Sequence, residues 1–278
     1  MAGHAKNHHY VASFHLSQFT LTGKKSGRLY VFDKRQRSRS PWPWPTTPDG
    51  AAKEGDFYGI EEGELAKKIE TPASRIVKDI NETKELPHSP EDLNTLFHYV
   101  ALAAVRIPGV RQRINSGIET IVNQLKRLGG NEEPQIDTAW HVETMLHVVE
   151  RARLILPSRY AVLRICEDDA PDLICSDWPG VFRAIEPLPW PFTPNFGTPH
   201  TVLSLPVGRR CLLELSTDPV TSECLKMNGP MVAAFNSLTA QQANQIYAGT
   251  DDWVWLDPDG NLANSNDFSK SLPPTESL

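Results

Sequence analysis

The sequence is poor in the features that make chemistry easy to read. It has only 4 cysteines, Cys166, Cys175, Cys211 and Cys224. They are not spaced as the paired C-x-x-C clusters of structural zinc, and no histidine lies within a few residues of them. Three stand in apolar, strand-like runs, Ile165-Cys166, Ile174-Cys175 and Cys211-Leu212, and read as reduced thiols that act as small core residues. No apolar run approaches the roughly 20 residues that cross a bilayer, and the polar, His-rich opening lacks the apolar stretch of a signal peptide. The expectation is a cytoplasmic protein with no membrane partner. H-E-x-x-H, G-x-S-x-G, the Walker loop and G-x-G-x-x-G are all missing, which sets aside nucleophile-elbow hydrolases and nucleotide-loop ATPases. Positive charge is in deficit too: 28 Lys and Arg against 34 Asp and Glu leave a net charge of −6. The molecule as a whole therefore does not attract nucleic acid, although a local patch still can.

The remainder is globular in character, with 40% hydrophobic and 22% charged residues over 278 positions, enough for a sizeable core. Residues 7–33 read as an ordered opening that ends in a strand, Arg28-Leu29-Tyr30-Val31-Phe32-Asp33. Residues 34–56, with Pro41-Trp42-Pro43-Trp44-Pro45 and Pro48-Asp49-Gly50, read as a long exposed loop without regular structure. From Tyr58 to Leu156 the apolar residues recur at helical spacing. Leu65 to Ile80 form one element, which Pro72 should kink or divide. The clearest helix start is Ser89-Pro90-Glu91-Asp92: a capping hydroxyl, a proline at the first position and acids at the positive end of the dipole. That helix presents Leu93, Leu96, Phe97, Val100, Ala101 and Ala104 and ends at Pro108-Gly109. A third carries Val110, Ile114, Ile118, Ile121, Val122, Leu125 and Leu128 to Gly129-Gly130. A fourth runs from an Asp137 cap through Val142, Met145, Leu146, Val149 and Ala152 to Pro157.

Beyond Pro157 the pattern becomes strand-like at 160–166, 172–176, 202–205 and 211–215, with a proline-rich loop between the second and third. Residues 231–247 read as one late helix, and the chain end as a frayed tail. The resulting expectation is α+β: a bundle of about four helices packed with a small, mostly antiparallel sheet. Residues 7–248 form a single domain and 249–278 a partly disordered C-terminal extension.

The opening Asn7-His8-His9-Tyr10-Val11 with Phe14, Leu16 and Phe19, followed by Leu29-Tyr30-Val31-Phe32-Asp33, resembles a family known as domain of unknown function 4238. Further segments agree in order: Asp56-Phe57-Tyr58, Leu65 to Glu70, Arg106-Ile107-Pro108, Leu173 to Pro179, Leu203 to Pro206 and Phe235 to Ala240. Ala12 and Ser13 stand where the family usually has Pro and Gln. The resemblance implies a fold shared across microbial proteins and carries no activity. It makes His9, Glu70, Asp177 and Asn236 a set to test together, since an imidazole, two carboxylates and an amide suffice for a hard divalent metal such as Mg or Mn.

Read from the residues themselves, His8 and His9 are two adjacent imidazoles. In an extended segment they face opposite ways, so one serves a pocket and the other holds structure. Asp177 either projects from a strand end or caps a turn with Ser176 and Pro179. Glu143, His147 and Glu150 share a helix face that reads as solvated pairing. A basic amino-terminal stretch includes Arg28, Arg35 and Arg37, with Trp42 and Trp44 close behind; it can track a phosphate backbone while the indoles stack on bases. The same loop can instead clip onto its own domain or a protein partner. Arg106 belongs to a second basic spot around Pro108. The leading expectation is a metal-dependent phosphodiester hydrolase, nuclease-like, in which His9 activates water and Asp177 or Glu70 holds the metal. The alternative is a non-catalytic module that binds a protein through the amino-terminal segment and the Pro/Trp loop.

Overall fold

The computed structural model describes residues 7–36, 38, 42–55, 66–129, 138–189 and 193–271. Over these the chain is α+β, 42% helix and 23% strand, with several small, mostly antiparallel sheets. After a short opening strand, Asn7–His9 (β1), comes one turn of helix, Ser13–Ser17 (α1). The first long helix is divided where the sequence suggests: a wide π-type turn over Ala66–Glu70 gives way to Thr71–Thr83 (α2), with Pro72 in its first turn. There the missing N–H breaks no intrahelical bond. Ser89 caps Pro90–Val105 (α3), its Oγ accepting the Asp92 N–H at 3.4 Å.

Pro108-Gly109 does more than end α3, because Pro108 opens the next helix, Pro108–Arg127 (α4). The fourth, Thr138–Ile155 (α5), turns Val142, Met145, Val149 and Ala152 into the same core as Leu96, Phe97, Val100 and Ala101 of α3. Each large apolar side chain buried there contributes roughly 1.5–3 kcal/mol. The apolar residues that α4 carries are largely uncovered toward its end: Ile121, Leu125 and Leu128 are 57%, 49% and 84% exposed. The proposed Asp137 cap lies outside the described residues.

Of the four sheets among the described residues, two have more than two strands. In the larger, Cys224–Met227 (β10), Tyr160–Cys166 (β5), Cys211–Ser216 (β9), Thr201–Gly208 (β8) and Val181–Ala184 (β7) lie side by side in that order, antiparallel except for β10 beside β5. Asn81 of α2 ties the helices to it, its Nδ2 donating to the Val207 carbonyl at 2.8 Å. The smaller sheet runs Trp44–Thr46 (β3), Leu29–Asp33 (β2), Gln245–Ala248 (β11) and Cys175–Ser176 (β6).

Three expectations are corrected here. Residues 34–56 are not structureless: β3 pairs with β2, and Lys53–Gly55 (β4) pairs with β1. Pro45 is tolerated because β3 is an edge strand, where a missing donor leaves no ladder bond unmade. The late helix stops early, at Gly229–Gln242 (α6), and its expected end becomes β11, since Ile246 and Tyr247 are fully buried between β2 and β6. The final stretch is not a frayed tail as far as residue 271. Val254–Leu256 (β12), Leu262–Asn264 (β13) and Ser265–Ser271 (α7) bury Trp253, Trp255 and Phe268 against Phe32 and Ile246.

Candidate functional site

β1 is extended, so its two histidines diverge as alternation requires. His8 is 2% exposed, while His9 is half-buried. The segment is held by β4 and by the Tyr10 N–H, which donates to the Ala52 carbonyl at 3.0 Å. Arg106, the residue that closes α3, reaches back to it: its guanidinium donates both to the Glu70 carboxylate and to the His9 carbonyl. The amino-terminal strand, the π-type turn before α2 and the end of α3 thus meet at one buried arginine. Burial holds His9 well below the ordinary imidazole range, at about 4; the Lys53 and Arg106 charges push the same way, and Asp49 opposes them. The ring is neutral near pH 7, and its Nε2 lies out of solvent with no hydrogen-bond partner.

Tyr10, the next residue, begins a second polar cluster. Its hydroxyl donates to Gln245 Oε1 at 2.8 Å, the Tyr247 hydroxyl donates to the same oxygen at 2.7 Å, and the two hydroxyls are 3.1 Å apart. Gln245 Nε2 donates to Asp33 Oδ2 at 2.8 Å, and the Arg35 amide and Nε hold Asp33 Oδ1 at 2.8 and 3.2 Å. Asp177 lies alongside, its Oδ1 accepting the Asn244 N–H at 3.0 Å. Burial raises Asp177 to about 6, against the pull of the Gln245 and Asn244 backbone and of Arg35. Burial likewise lifts Tyr10 to about 12 and holds Tyr247 well above the ordinary phenol value, so both phenols remain neutral donors. Ser176 Oγ accepts the Trp178 N–H at 3.1 Å, so the serine and not Asp177 makes the bond within the turn, while the Asp177 carboxylate is buried against the distant Asn244 amide. Trp178 sits against Gly109 so closely that a Cβ there would come within 2.5 Å of its ring.

Of the four residues set out for a metal, His9 and Glu70 meet through Arg106, and Asp177 joins the neighbouring cluster built on Tyr10. Asn236 is a buried structural amide: Oδ1 accepts the Ile174 N–H at 3.1 Å, and Nδ2 donates to the Asp172 and Val254 carbonyls at 3.0 and 2.9 Å. Glu70 is taken by Arg106 and Asp177 by a backbone amide, and among the described residues no three His, Cys, Asp or Glu side chains are grouped to hold an ion. The donor set does not fit Mg or Mn.

Arg28 is exposed just ahead of β2, Arg35 is engaged with Asp33, and Arg37 lies outside the described residues. Both tryptophans are partly buried and engaged within the chain. Trp42 donates its Nε1–H to the Asp33 carbonyl at 3.1 Å and packs edge-on against Phe32, and Trp44 packs on the main core. Glu143, His147 and Glu150 are exposed, and Arg153 pairs with Glu150 at 2.9 Å. Tyr10, Asp33, Gln245 and Tyr247 were not among the sequence candidates. The alternation Gln245, Tyr247 is the signal for the last two, hidden inside an apparent helix.

Fold and site together define an α+β protein in which β2 and β11 share a sheet beside a largely buried His/Arg/Glu and Tyr/Asp/Gln cluster. The chain belongs to the family described as Protein of unknown function (DUF4238), which matches residues 7–252. Searches of curated proteins and of solved structures give no match. Among the described residues no helix is long and apolar enough to cross a membrane.

Proposed function

We propose that the chain is a phosphodiester hydrolase, nuclease-like, that works through His9 without the metal expected from sequence. The observation that carries this reading is the His9 ring: neutral through burial, with an unpartnered Nε2, and within the electrostatic reach of Lys53 and Arg106. A base at about 4 is weak in the free protein. An anionic phosphodiester seated near those two cations cancels their effect on the ring and returns it toward the range where proton transfer is efficient. Lys53 draws the substrate in; once the substrate opens the His9 ring to solvent, Nε2 takes the proton of a water whose oxygen bonds to phosphorus as the P–O bond to the leaving oxygen breaks, and the imidazolium passes that proton to the leaving oxygen. Glu70 positions Arg106, which in turn holds the His9 backbone. The reading includes a nucleic-acid partner and a cytoplasmic location, the latter supported by the free thiols of Cys166, Cys175, Cys211 and Cys224.

Cleavage of single- and double-stranded DNA and RNA, with EDTA and separately with Mg or Mn, tests it. The expected result is hydrolysis that persists in EDTA and falls by about 100-fold or more in His9→Ala and His9→Gln, in line with the loss of a general base. Hydrolysis by neither the wild type nor the variants, or equal rates in all of them, overturns the proposal.

A further inference from the structure

The larger sheet carries a charged trio remote from His9. Glu214 lies on β9, the middle strand, in register with Val162 of β5 and Ser204 of β8. Arg164 follows two residues along β5 on the same face, and Arg183 reaches in from β7. Glu214 accepts from Arg164 Nε, accepts from Ser204 Oγ at 3.2 Å, and lies 3.5 Å from an Arg183 Nη. The side chains are 8%, 23% and 52% exposed for Glu214, Arg164 and Arg183. One carboxylate between two guanidiniums leaves a surplus of one positive charge, carried on Arg183, the more exposed and more weakly held partner.

Cavities flank this trio on both sides. One, of about 180 Å³, lies between the sheet and α6, walled by Met227, Met231, Phe235 and Leu238; the other, of about 340 Å³, reaches Val162, Ile185 and Leu225. A dry apolar cavity of about 150 Å³ already holds a benzene-sized guest, and unbranched methionines adapt to irregular shapes. The guanidinium fork matches a planar carboxylate. A single surplus charge suits a monoanion and not a polyanion. We infer that this trough binds a compact organic carboxylate, its head on Arg183 and its ring-sized apolar body against Met231, Phe235 and Leu238.

Titration of the full chain with 4-fluorobenzoate, followed by ¹⁹F NMR, is the test, with 4-fluorobenzyl alcohol as the uncharged control. Saturable binding of the carboxylate is expected, with the alcohol at least about tenfold weaker. Arg183→Gln should weaken the carboxylate by a similar factor without moving the melting temperature, since this side chain is half exposed. Ala234→Leu, which fills the cavity from α6, should remove binding of both; should that variant fail to fold, Arg183→Gln alone decides. Absence of saturable binding, equal binding of the alcohol, or unchanged affinity in Arg183→Gln overturns the proposal. So does a concentration-dependent dimer in sedimentation that Leu238→Glu abolishes, which would give this face to a second copy of the chain.

Discussion

His15 has no exposed surface and lies among aromatic rings, with centroids 5.6 Å from Phe19 and 5.8 Å from Tyr99. Burial lowers it to about 4, and neither ring nitrogen makes a hydrogen bond of normal geometry, although the Pro206 carbonyl draws it slightly back up. Unfolded, the imidazole titrates near 6.5. Because the folded value is the lower one, protons bind the unfolded chain first, and stability is lost as the pH falls from about 6.5 to about 4. By linkage this removes about 2 kcal/mol between pH 8 and pH 5. His15→Phe substitutes a ring that cannot be protonated. At pH 8 it removes two unsatisfied polar atoms and adds a little volume, effects that oppose one another. Wherever that balance falls, the stability difference between variant and wild type should widen by about 2 kcal/mol in favour of the variant at pH 5. Urea unfolding at pH 8, 7, 6 and 5 reads this directly. Parallel pH profiles for the two proteins would refute the reasoning, because the buried ring would then not be the group that takes up the proton.

Two further outcomes follow from burial. Asp177 is raised to about 6, above its unfolded value of about 3.9, so ionising it weakens the fold as the pH climbs from about 4 to 6. Asp177→Asn keeps the acceptor for the Asn244 N–H and should gain about 1–3 kcal/mol on the wild type between pH 4 and pH 7.5, seen in thermal melts at the two values; an unchanged difference argues against a buried carboxyl. Among the thiols, exposed Cys224 should react with a disulfide reagent within minutes, while Cys166, Cys175 and Cys211, buried and free, should react only on unfolding. Rapid modification of more than one thiol in the native protein would contradict that burial.

Local chemistry made much of the helical half legible. The Ser89 cap, Pro72 at a first turn and the α3 and α5 stripes are decided within a few residues and survive in the fold. The misreadings arose where distant partners decide. Gln245–Ala248 follows a good helix former, and only β2 and β6, supplied from far upstream, draw it into a strand. Pro45 was taken to exclude a strand because nothing local says that β3 lies on an edge. The candidate site divides in the same way. His9 and Glu70 were nameable from residue type, but the arginine that joins them and the Tyr10–Gln245–Asp33 bonds depend on tertiary closure. The core contacts of Trp42 and Trp44 were not legible either, because a tryptophan's packing cannot be read from its neighbours in sequence.

The pairing of β2 with β11 matches Asp33 to Gln245, across nearly the whole described chain. A ribosome must therefore release the chain past Tyr247, with Gln245 lying 212 residues beyond Asp33, before Tyr10 and Asp33 can find these partners. Until then β2 waits with an unsatisfied edge, which invites association with other nascent chains. Closure between such remote segments is also entropically slow. A polypeptide that terminates before residue 245 would keep the sequence of α1 to α6 and yet never assemble the tyrosine pair, which ties the birth of the site to synthesis beyond that residue.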